Sequence, residues 1–98
     1  MVIRVLDLVD GCGTNDEGDI LYAAIRRALS QDGKAVVSFE GISYATSSFV
    51  NSAFLGLLDD MTFEEVKESL SIVRSQNQIN TLVKRIMSDP PTLYHRHA

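Results

Sequence analysis

The sequence predicts a small α/β domain, ordered β-α-β-α-(α)-β-α around a mostly parallel sheet of three or four strands. Three observations predict it. Short runs rich in Val, Ile and Phe alternate with longer stretches whose apolar residues recur at i, i+3, i+4 and i+7. Turn residues separate the two kinds of segment. A chain of 98 residues, 45% hydrophobic and 22% charged, has apolar content for a core and length for one domain.

Residues 2–9 read VIRVLDLV, with all but Arg4 and Asp7 apolar, which predicts a strand buried on both faces. Turn chemistry follows at 10–15. Leu21, Ala24, Ile25 and Ala28 then mark a helix face, with Arg26 and Arg27 outward. Asp16, Glu17 and Asp19 sit at the start, where the helix dipole favours negative charge, and Gly33 suits the position just past the end. Residues 34–40 (KAVVSFE) predict the second strand. After a loop, Val50, Ala53, Phe54, Leu57 and Leu58 predict a second long helix, capped by Ser47 or Ser48. Thr62 and Glu65 form a capping-box pattern that predicts a short helix. Residues 69–73 (SLSIV) predict the third strand, and Ile79, Leu82, Val83, Ile86 and Met87 predict a last helix over 76–88, stopped by Asp89-Pro90-Pro91. A fourth short strand is expected around Ile42-Ser43-Tyr44. The domain spans 1–89, and 90–98 form a C-terminal tail.

Charge and composition exclude several function classes. The net charge is −4, and it is uneven: residues 1–73 carry five basic and twelve acidic groups, whereas 74–98 carry four and one. Nucleic acid is therefore not an expected partner. No apolar run approaches the roughly 18 residues that a membrane span needs, and the N-terminus lacks a signal-peptide layout. A lone Cys12 cannot close an internal disulfide, so a reducing, cytoplasmic setting is expected.

The candidate chemical sites resolve into structural roles. Gly11-Cys12-Gly13 follows a strand and precedes a helix, but Asp16 stands where a dinucleotide fingerprint needs its third glycine. Asp10, Asp16, Glu17 and Asp19 would face the phosphates with no lysine to answer them. The same loop, counted from Asp10, puts Cys12 and Thr14 at calcium-ligand positions and Asn15 where glycine is required. Cys12 has no nearby histidine or lysine to activate it. His95 and His97 could hold a metal weakly, yet no third ligand is visible in the sequence. Asp59-Asp60 and Glu64-Glu65 serve as a helix stop and a helix start. No catalytic residue, metal or cofactor is expected.

The informative stretch runs from Val36 to Leu58. It gathers Ser43, Thr46, Ser47 and Ser48 where a strand gives way to a helix. Hydroxyls there can cap orphan amides. A phosphate there would sit in a favourable dipole and bring nearly two negative charges to the surface.

Phe39-Glu40-Gly41-Ile42, then Ala45-Thr46-Ser47-Ser48-Phe49-Val50-Asn51 and an apolar helix through Leu58, resembles the STAS-like domain of unknown function. That family is the small bacterial, archaeal and phage relative of the STAS domains of sulfate transporters and anti-sigma-factor antagonists. Gly18 with its helix to Leu29, and the later strand and helix, match its layout too. In the antagonists the loop after this strand carries an Asp-Ser-x-Gly type motif, phosphorylated by a partner kinase of the GHKL ATPase fold. The resemblance puts Ser47 and Ser48 at the serine positions, Ser48 being the better match, while Thr46 stands for the Asp and Phe49 for the Gly. It implies a non-catalytic regulatory module of α/β fold that docks a protein partner, a GHKL-type ATPase or histidine-kinase-like protein, through residues 41–51. Ser48 is the first phosphoacceptor candidate, then Ser47 and Thr46. Gly41, Tyr44, Phe49 and Asn51 would contact the partner, the two aromatics as anchors if exposed. A self-associating structural protein of a phage or mobile element is the alternative, and a small enzyme is a third. A homodimer, or the tail, would cover the second face of the sheet.

Overall fold

A computed structural model describes residues 2–88. It contains a strand β1 (Val2–Arg4), a four-residue helix α1 (Val5–Leu8), a long helix α2 (Asn15–Asp32), β2 (Ala35–Ser38), α3 (Ser47–Phe54) with a 3-10 helix (Leu55–Asp59), α4 (Phe63–Ser69), β3 (Leu70–Val73) and α5 (Asn77–Ser88). The sheet has the order β1-β2-β3 and is parallel throughout. The expected tail, the proline stop and the two histidines lie outside the described residues.

Four expectations change. The first strand ends at Arg4, not residue 9. Arg4 is in register with Ser38, the last residue of β2, so a longer edge strand would have no ladder to join. The chain instead makes one helical turn, and Val5 and Val9 still reach the core, at 0% and 7% exposure. No strand forms at 42–44. There Gly41 turns the chain with a φ of 85°, and the Ile42 amide donates to the Phe39 carbonyl at 3.0 Å. The second long helix is α-helical only to Phe54 and tightens into the 3-10 helix through Leu58. Its cap is Thr46, one residue before the two serines.

The helix signals behave as their chemistry requires. The Thr14 hydroxyl accepts from the Glu17 amide, and the Glu17 carboxylate accepts in return from the Thr14 amide. Thr62 and Glu65 repeat the device at α4. Gly33 takes the left-handed conformation after α2, with its amide bonded to the Leu29 carbonyl.

The core lies between the sheet and the helices. Phe39, Phe49, Phe54, Leu21, Ile25 and Leu57 are its large members, and the Phe39 and Phe49 rings meet edge to face with centroids 6.5 Å apart. Ile3, Ala35 and Val37 face it from the sheet, with Leu70 and Ile72 half-buried at one edge. The alternating positions point the other way: Val2 is 68% and Val73 37% exposed, Ser71 is exposed and Val36 half-buried. Right-handed crossovers that step twice in the same direction place both connections on one face, which leaves the other open.

Candidate partner-docking site

The loop at 41–46 and the first turn of α3 form a surface held from behind. Its anchor is backbone chemistry. The Thr46 amide donates to the Cys12 carbonyl at 3.0 Å, and the Thr46 hydroxyl approaches the same oxygen at 3.5 Å. Gln78 on α5 clasps the loop from another side. Its Oε1 accepts from the Ala45 amide at 3.1 Å, and its Nε2 donates to the Ala45 carbonyl at 2.9 Å. Ala45 itself is fully buried. Two chain segments far from it in sequence thus fix one short loop.

Beyond these anchors the chain turns outward. Tyr44 is 60% exposed, and Gly41 and Ser43 are exposed. Gly41 needs to be glycine. Its φ of 85° is strained for other residues, and a Cβ there would come within 2.7 Å of Leu6 Cδ1. Thr46 is half-buried, and its hydroxyl accepts from the Phe49 amide at 3.2 Å as the helix N-cap. The first intrahelical bond is Val50 N–H to Thr46 O. The Ser47 and Ser48 amides precede it and carry the positive end of the helix dipole. Both serine side chains are exposed.

The structure therefore sorts the sequence-derived residues. Ser47, Ser48, Tyr44 and Gly41 are all exposed. Thr46 is committed to capping. Phe49 is fully buried against Phe39, so it is a core residue and not a surface anchor. Its apolar ring follows the inward face of α3, one turn before Ala53. Asn51 is half-buried, and its Oδ1 has no hydrogen-bond partner among the described residues.

Two supporting residues have roles that the sequence does not assign: Gln78 is not singled out there, and Gly18 enters only as part of the family layout. Gln78 is a polar residue on an exposed helix face, and only the fold brings it to Ala45. Gly18 lies inside α2, where glycine is unfavourable, and that misfit is the signal. A Cβ at Gly18 would stand 2.5 Å from the Phe49 carbonyl oxygen and 2.7 Å from Ser52 Cβ. The glycine lets α2 and α3 approach closely and sets where the first turn of α3 sits.

The acidic loop before α2 is internally satisfied. The hydrogen bond from the Gly13 amide, the largest influence, together with those from Thr14, holds the Glu17 pKa below the ordinary range against an opposing push from desolvation. Burial, with a smaller push from Glu17, raises the Cys12 thiol to about 11. Cys12 is thus poorly suited to nucleophilic work. Among the described residues no three His, Cys, Asp or Glu side chains are grouped to hold a metal ion. No helix of the described residues is long and apolar enough to cross a membrane.

The described residues form a one-sided parallel α/β domain with exposed hydroxyls and an exposed tyrosine near a helix start, an architecture compatible with a small STAS-type domain. The family comparison agrees over residues 17–80, from the first turn of α2 to the first turn of α5. The chain belongs to the family described as the STAS-like domain of unknown function. No curated protein and no solved structure shows a significant match to it.

Proposed function

We propose that this domain is a non-catalytic regulatory module that docks a protein partner through the exposed side of 41–48, with Ser48 as the residue whose phosphorylation would switch that docking. The observation that carries the reading is the exposure of Tyr44, Ser47 and Ser48 on a loop fixed by Cys12, Thr46 and Gln78. A preordered loop loses little entropy on binding. The exposed tyrosine supplies an amphipathic anchor. A phosphate on Ser48 would meet the helix dipole without entering the core. Asn51, half-buried, drops to the margin of this surface, and Phe49 leaves it.

The partner is proposed by analogy with the antagonist STAS domains: a GHKL-type ATPase acting as a serine kinase. The test is incubation of the full chain with such an ATPase from an adjacent gene and ATP, followed by phosphosite mapping and size-exclusion chromatography. Label on Ser48, and a complex weakened by Ser48→Asp and by Tyr44→Ala, are the expected results. No label and no complex would remove the reading.

The open sheet face favours a second reading, a self-associating structural protein. Val2, Val36 and Val73 lie on that face. Solution mass separates the two: a dimer that Val73→Asp dissociates supports self-association, and a monomer opposes it.

A further inference from the structure

The outer edge of β3 carries an inference independent of the loop at 41–48. The strand has a partner only in β2, so its other edge is unpaired among the described residues. Bonds on the paired side fix which main-chain groups lie on the free side. The Val73 carbonyl accepts from the Phe39 amide at 3.0 Å, so Val73 turns its main chain toward β2. Main-chain direction alternates along a strand, so Ser71 does the same, while Leu70 and Ile72 turn theirs to the free edge. The peptide plane that sends the Val73 carbonyl to β2 sends the Arg74 amide the other way. The Leu70 amide is already used, donating to the Val66 carbonyl at the end of α4. The edge therefore offers the Leu70 carbonyl, both groups of Ile72 and the Arg74 amide.

That set is complementary to itself. In an antiparallel pairing with a two-fold axis at Ile72, the two Ile72 residues exchange both bonds, and each Arg74 amide donates to the other chain's Leu70 carbonyl. The strand ends where this pattern ends: α4 runs directly into Leu70, and Arg74 has a φ of 55° that turns the chain away.

Side chains fit the same pairing. Natural edges are commonly blunted by charge, proline or a bulge. Leu70–Val73 reads LSIV, with no charge and no proline, whereas β1 at the opposite edge of the sheet ends on Arg4, paired with Asp7 and Glu40. Ala35 and Val37 of β2 are buried, yet their registered partners Leu70 and Ile72 are half-buried beside a groove of about 440 Å³ between α4 and α5. Residues directly opposite across two strands share a face. A second copy thus sets its Ile72 against Ile72 on the groove side and its Ser71 against Val73 on the open side. Lys67 and Lys84 on the groove lining are exposed, with long stems that keep their charged ends in water. Charge agrees as well. Arg74 of one copy comes beside Leu70 of the other, two residues after Glu68 on α4, a helix with Glu64, Glu65 and Glu68 against Lys67. Neither Arg74 nor Glu68 has an ion pair among the described residues.

We propose that two copies of this chain pair antiparallel through β3, with Ile72 at the axis and Arg74 of each copy facing the end of α4 in the other. The seam is an edge of the sheet, distinct from the open face described above.

The test uses the full chain labelled with nitrogen-15, from about 20 µM to about 1 mM, because so short a seam belongs with weak interfaces. Translational diffusion should move from monomer toward dimer over that range. Amide exchange should slow at Ile72 and Arg74 as the dimer forms, while Ser71 and Val73, bonded to β2, stay protected throughout. Arg74 is exposed, so Arg74→Glu should keep the fold, as circular dichroism would show. It should weaken the dimer about tenfold, and adding Glu68→Arg should restore it. Val2→Asp on the open face and Ser48→Asp on the loop should leave pairing unchanged. A monomer at about 1 mM overturns the proposal. So does a dimer in which the Ile72 and Arg74 amides do not slow, or a charge exchange that fails to restore pairing. Loss of the dimer in Val2→Asp would move the seam to the open face. Protection of the Ile72 and Arg74 amides in the monomer would assign the edge to this chain's own residues, and either result overturns the pairing.

Discussion

Gly18→Ala tests the helix contact that sets the position of α3. The new Cβ would lie 2.5 Å from the Phe49 carbonyl oxygen, 2.7 Å from Ser52 Cβ and 3.2 Å from the Ala53 nitrogen. Ordinary contact begins near 3.5 Å, so α3 must retreat by about 1 Å or α2 must bend. Two of the three neighbours are backbone atoms, which cannot swing aside as a side-chain tip can. Overpacking of this kind costs about 1–3 kcal/mol, and a clash with backbone belongs at the upper end. Replacing a helical glycine by alanine returns about 1 kcal/mol. The net loss is about 2 kcal/mol, or a fall in Tm of roughly 8–16 °C for a domain of this size. Urea titration followed by circular dichroism measures it. Gly13→Ala is the matched control, since a Cβ there meets nothing within 4 Å. Gly18→Ala as stable as the parent chain would refute the claim that helix approach at this point positions the first turn of α3.

Four further predictions concern the site and its supports. Thr46→Ala should cost about 1 kcal/mol by removing the N-cap, whereas Ser48→Ala should stay within about 0.5 kcal/mol, as read from chemical denaturation. Cys12, raised to about 11 by burial, should react with a thiol reagent at pH 8 roughly a hundredfold more slowly in the folded than in the urea-unfolded chain. The folded state favours the neutral thiol, so Cys12 stabilises the fold below about pH 9 and loses that contribution as pH rises through about 11; Cys12→Ala should flatten this alkaline limb. Glu17 has the opposite sign, because its pKa is lowered in the folded chain. Its contribution is present above the ordinary carboxylate range and lost as pH falls, and Glu17→Gln should make the acid melt less steep.

Much of the fold was legible because local chemistry and tertiary demand agree. Thr14 with Glu17, Thr62 with Glu65, and Gly33 each end or begin a helix by hydrogen bonds that the sequence spacing already specifies. The apolar spacing of α5 places Ile79, Leu82, Val83, Ile86 and Met87 in the core. Misreadings arise where a partner far away in sequence decides the outcome. Residues 5–9 have strand composition, but whether they pair depends on where β2 ends. Among three successive hydroxyls at 46–48, the cap is the one whose amide reaches the Cys12 carbonyl. Phe49 could be drawn as an anchor until α2 and Phe39 close over it. Gln78 carries no local mark of its role.

The layout of the sheet explains why one of its faces carries exposed apolar residues among the described residues. With the order β1-β2-β3 and parallel pairing throughout, crossovers of the usual right hand put the connecting helices on the same side. Parallel sheets are ordinarily covered on both faces, so the exposed Val2 and Val73 and the half-buried Leu70 and Ile72 mark where this domain departs from that rule. The loop at 41–48 is held by a different route. It is tied down through backbone groups at Cys12 and Ala45, so its side chains need not be buried to hold it in place. A loop ordered by its main chain keeps Tyr44, Ser47 and Ser48 accessible to a partner. Loss of that tether, as in Gln78→Ala, should therefore weaken partner binding while leaving those three side chains unchanged in identity.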